Sequence, residues 1–72
     1  MSIEFMEEML AERYDMRARL IARIAELEAI ENRTIYEQAE LNQAIGDLPV
    51  VEKDIVDMLA FIEYLKSLEE GN

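Results

Sequence analysis

The stretch Leu10 to Glu31, LAERYDMRARLIARIAELEAIE, decides the fold. It holds neither Gly nor Pro, and its apolar residues recur at the three-and-four spacing that places them on one side of an α-helix. Met16, Leu20, Ile24 and Leu27 make that side apolar, and upstream Phe5, Met6 and Met9 extend it to the beginning of the chain. Ser2 is placed to cap the first turn, with Glu4, Glu7 and Glu8 where the helix dipole favours carboxylates. Two residues break the pattern: Arg13 and Arg17 stand in the apolar row instead of opposite it.

Downstream, two segments compete for the chain reversal. At Asn32-Arg33-Thr34, Asn32 tolerates the left-handed conformation of a helix end, and Thr34 with Glu37 has the form of a capping box. The apolar face nevertheless runs on through Ile35, Leu41 and Ile45, and Gly46-Asp47-Leu48-Pro49 is the stronger punctuation. The sequence therefore predicts an all-α αα-hairpin in one domain: a long helix over about 2–45, with 32–34 as its one candidate kink, a turn at 46–48, and a short helix over about 49–69. In the second helix Val51, Ile55, Met58, Leu59, Ile62 and Leu65 form a row that Val50, Phe61 and Leu68 widen to about half the circumference, more than one neighbouring helix can cover.

At 1.5 Å per residue such helices would be ~65 Å and ~30 Å long, so the second could cover only residues 26–45 of the first. The bare half, from Phe5 to Leu20, calls for a second copy. Two long helices crossing antiparallel near residue 22 would intertwine into a helical-bundle homo-oligomer and set Arg13 of one chain opposite Glu31 of the other, twice.

Composition narrows the function. A chain of 72 residues without Cys or His has no disulfide and none of the usual zinc sites, which leaves self-association as its remaining source of stability. Seventeen acidic against seven basic residues give a net charge of −10, which disfavours direct non-specific binding of nucleic acid and suits a basic protein partner. The acidic start MSIEFMEE is unlike a signal peptide and no apolar run reaches the ~20 residues of a membrane span, so the expected location is the cytoplasm, away from membranes. With no His or Cys, no Gly-rich phosphate loop and no Ser or Thr in a nucleophile setting, the expectation is a non-enzyme with no metal and no cofactor.

Two groups of side chains remain as binding candidates. Arg13 and Arg17, with Tyr14 to stack on a base, could hold a small anionic nucleotide in an oligomer. Tyr36 and Tyr64, off the apolar rows, could together form a protein-binding surface. Within Ile45 to Lys66, Leu48-Pro49 followed by Phe61-Ile62-Glu63-Tyr64-Leu65-Lys66 resembles the Leu-Pro plus Phe-Ile-x-x-Leu segment of some small acidic antitoxins, which implies a protein that neutralises another. The leading expectation is thus a homo-oligomeric acidic interaction protein that binds and inhibits or titrates another macromolecule, as phage-type inhibitors and antitoxins do. The alternatives are a nucleotide-sequestering sponge built on Arg13 and Arg17, and a purely structural oligomerisation module.

Overall fold

A computed structural model describes residues 2–71, and among them the chain forms two α-helices and no strand. Helix α1 spans Ile3–Glu28 and α2 spans Ile35–Glu70, folded back on each other into a rod of 59 × 16 × 15 Å. Ser2 caps α1, its side-chain oxygen accepting from the Phe5 amide at 3.1 Å. Thr34 caps α2 through a capping box: the Glu37 amide donates to Thr34 Oγ1 at 3.1 Å, and the Thr34 amide donates to Glu37 Oε1 at 2.9 Å.

The reversal therefore lies at residues 29–34 and not at 46–48, and the expected long-then-short order of the helices is inverted. The capping box supplies the start of α2, and Arg33 supplies the end of α1. Its Nη1 donates to the carbonyl oxygens of Leu27 at 3.0 Å and Ile30 at 3.2 Å, groups that a helix terminus leaves without partners, while its Nε holds Gln38 Oε1 at 2.8 Å. No described residue of the turn needs a positive φ.

Gly46 and Pro49 lie inside α2 as ordinary helical residues. A proline within a helix costs about 3 kcal/mol, because it lacks an amide and crowds the carbonyl one turn earlier. Leu41 and Ala44 before it, and Val51, Ile55 and Ile62 after it, are buried on the same side, and each large aliphatic among them contributes roughly 1.5–3 kcal/mol. Packing on both sides of Pro49 outweighs the break.

The two helices meet along one seam with coiled-coil spacing. In α1 it runs through Ile3, Met6, Leu10, Arg13, Arg17, Leu20, Ile24 and Leu27; in α2 through Glu37, Leu41, Ala44, Leu48, Val51, Ile55, Met58, Ile62 and Leu65. Every one of these is buried or half-buried, and of the helical residues between them only Met9, Asp47 and Asp54 are not exposed. Leu27, beside the turn, is fully buried. Ile35, Ile45 and Leu59, expected on the apolar rows, fall outside the seam and are exposed.

Because α2 is 36 residues long, about 54 Å, it covers α1 from end to end, and Met6 is buried. The bare N-terminal half that motivated an intertwined pair does not exist. If 46–49 were a turn, helix-favouring substitutions there would gain nothing. Within a helix Gly46→Ala, whose added Cβ meets nothing within 4 Å, should raise unfolding free energy by about 0.5–1 kcal/mol, and Pro49→Ala should also stabilise; urea denaturation followed by circular dichroism measures both.

Candidate interaction site

With the seam at heptad positions a and d, the remaining rows sort onto two flanks and a back. One flank, rows c and g, carries a groove of about 610 Å³ floored by Met16, Leu20, Val50 and Val51. Arg13, Arg19 and Arg23 line it together with Asp47 and Asp54, so cations outnumber carboxylates locally in a chain of net charge −10. Each of these arginines already has a carboxylate. Arg13 Nε lies 3.6 Å from Asp54 Oδ2, Arg19 Nη2 3.0 Å from Asp15 Oδ2, and Arg23 Nη1 3.0 Å from Glu26 Oε2.

Arg23 also spans the hairpin. Its Nε and Nη2 donate to Glu40 Oε2 and Oε1 at 2.6 and 2.8 Å, a bidentate clamp between the helices. Those hydrogen bonds hold the Glu40 carboxyl below the usual carboxylate range and raise the Arg23 guanidinium above its own.

The expected anion-binding trio does not share one pocket. Arg13 sits in the groove, whereas Arg17 leans away from it, with its guanidinium carbon 5.1 Å from the centre of the Tyr14 ring, and joins no carboxylate among the described residues. Glu31, the expected partner of Arg13 across a dimer, is an exposed residue of the turn, and Arg13 meets Asp54 of its own chain instead.

Tyr36 and Tyr64 are both exposed, at 87% and 56%, but 28 positions apart on one helix they stand about 42 Å from each other. They do not form a joint surface. Tyr64 joins Phe61, the rings stacked with centroids 6.2 Å apart, and this pair lies at the open end of the hairpin, where α1 begins and α2 finishes.

That end has a distinctive composition. Phe5, Phe61, Tyr64 and Leu68 are exposed there, at rows c and g of the two helices. Glu4, Glu7, Glu8, Glu12, Glu63, Glu69 and Glu70 surround them, none in an ion pair among the described residues, and Lys66 is the one basic side chain among the described residues of this end. In the middle of the hairpin Arg13, Arg19, Arg23 and Lys53 are each paired with a carboxylate, whereas the open end gathers acidic residues with few cations among them. Periodicity marked Tyr64, while the clustering with Phe5 depended on where the chain turns back.

No helix among the described residues is long and apolar enough to cross a membrane, and no three described carboxylates gather as a metal site. No protein-family model, curated protein or solved structure matches this chain.

The clamp gives a pH signature. A carboxyl whose folded-state pKa is lowered adds stability above its unfolded value, 4.5, and loses it as pH falls through the lower folded value. Glu40→Gln should therefore lower the melting temperature at pH 7, and the gap from the parent chain should close as the pH is taken below 4.5. A gap that stays constant across that range would sever the clamp from stability.

Proposed function

We propose that the chain is a non-catalytic, homo-oligomeric interaction protein whose open end docks a basic, amphipathic segment of another protein and thereby blocks or titrates it. The observation that carries this reading is the set of exposed side chains Phe5, Phe61, Tyr64 and Leu68 set among seven carboxylates that form no ion pair among the described residues. Aromatic side chains bury large areas at small entropic cost and dominate binding energy at interfaces, and the surrounding carboxylates favour a cationic partner and speed its approach.

The sponge reading draws less support. The groove arginines are already neutralised by Asp54, Asp15, Glu26 and Glu40, and an anion would have to displace those partners. Chemistry on a bound substrate would fall to carboxylates alone, because the chain has neither His nor Cys. Oligomerisation is supported by the thin core: seven hydrophobic residues are buried, and large apolar side chains remain exposed on both flanks.

The test uses a fluorescent amphipathic peptide rich in Lys and Arg, titrated with the intact protein and followed by anisotropy. Binding is expected to weaken steeply with salt, and Phe61→Ala and Tyr64→Ala should each weaken it by roughly tenfold or more, whereas Tyr36→Ala should not. Equal binding of an acidic peptide of the same apolar pattern, or indifference to both open-end substitutions, would refute the docking site.

A further inference from the structure

The flank that carries Phe5, Phe61 and Tyr64 does not end with them, because the arginine groove lies on the same rows c and g. Two apolar stations follow one another along it. Phe5 of α1 and Phe61 of α2 form the first, with Tyr64 beside them; Met16 of α1 and Val50 of α2, on the floor of the groove, form the second. Arg13 opposite Asp54 fixes the register of the seam, which sets Phe5 nearly level with Phe61 and Met16 nearly level with Val50.

We propose that one amphipathic helix of a partner protein lies in the furrow between α1 and α2 on this flank and touches both stations, with its cations over the open end and an uncharged half over the arginines. The proposal deepens the docking reading above and rests on it, and it adds the partner segment's fold, length and charge order.

Spacing carries the fit. Phe5 and Met16 stand eleven residues apart on α1, and Val50 and Phe61 stand eleven apart on α2. Eleven residues make about three helical turns, or ~16.5 Å. A helix laid along the rod therefore turns the same face to both stations. Reaching from Phe5 to Arg23 takes about 27 Å, which is about 18 residues of helix.

The furrow also selects the partner's conformation. Its walls are α1 and α2, whose backbone groups are bonded within each helix. An extended segment pressed into it would bury amides and carbonyls without partners, whereas a helix satisfies its own.

Charge sets the order. Beside the first station Glu12 lies on row c with Glu8 one turn before it, like charges on one helix with no ion pair among the described residues. Their mutual repulsion is relieved by a cation from outside. Around the second station Arg13, Arg19 and Arg23 outnumber Asp47 and Asp54, so a cation there is opposed. The area is also of the right size. A globular monomer of 8.4 kDa exposes about 4,600 Å². This hairpin exposes 5424 Å², and the excess of about 800 Å² is close to what one partner buries in a standard interface.

Calorimetric titration of the full chain with two synthetic peptides of about 18 residues tests the proposal. Both carry Leu at heptad positions a and d and the same number of Lys and Gln; in one the lysines fill the C-terminal half, and in the other they are evenly spaced. The clustered peptide should bind roughly threefold more tightly or better and should gain helicity on binding, read by circular dichroism. Met16→Gln combined with Val50→Gln should weaken it by roughly tenfold, while Ile21→Gln combined with Val56→Gln, exposed on the opposite flank, should not. Binding that Phe61→Ala weakens but the groove pair leaves unchanged would confine docking to the open end and overturn this inference alone. Equal affinity for the two peptides, a bound peptide that stays non-helical, or an equal loss from the opposite-flank pair would do the same. Failure of both peptides to bind would overturn the docking reading as well.

Discussion

Two antiparallel helices can bury only the rows that face each other, and that geometric limit governs everything else about this chain. One seam of alternating three- and four-residue steps accounts for the whole core, with Leu27 as its only fully buried large side chain. Apolar residues one row off the seam stay exposed, because no third layer exists to receive them. Where the chain turns back fixes the seam's length and hence which residues face solvent. The Arg33 and Thr34 contacts that end one helix and start the next are therefore as consequential as the core itself.

How much of this was legible follows from the range of each signal. Helical periodicity is local and redundant, so the all-α hairpin could be read from almost any window of the sequence. The turn could not be settled the same way. Gly46 and Pro49 are strong local breakers, and the capping box at Thr34 and Glu37 is a weaker mark on its own. The arbiter is the seam: Leu41, Ala44, Leu48, Val51 and Ile55 keep one phase straight through Gly46 and Pro49, while Ile35 falls out of it. That phase becomes visible only once the opposing helix is known, since Ala44 is the seam residue and the more hydrophobic Ile45 is not. The role of Arg33, capping carbonyls three to six residues back, is not legible in the sequence because it depends on the turn already being closed.

The arginines in the seam illustrate why a misplaced charge is informative without being self-explanatory. Arg13 and Arg17 were recognisable from the sequence as intruders, and both do occupy seam positions half shielded from water. Their environments diverge because adjacent seam positions lean to opposite flanks. Arg13 leans toward Asp54 and the groove; Arg17 leans over Tyr14. Sequence spacing placed them on one face, and only the second helix divides that face in two. The Arg13–Asp54 pair beside the seam also opposes sliding of one helix past the other in one direction, since a shift by one heptad that way would set Arg13 against Phe61, whereas the opposite shift would set it against Asp47.

Charge distribution along the rod ties the seam to the surface. Cations cluster between residues 13 and 33 of the first half of the chain, where they meet Asp54, Glu40, Glu26 and Asp15 across or along the helices. The ends of the sequence hold almost none, so the fold, by bringing both termini together, sums two acidic segments into one end. Such an end repels its own kind. A pairing of copies is favoured only if it keeps those ends apart. The shortage of interior space in a two-helix protein thus leaves apolar side chains exposed on both flanks of the seam.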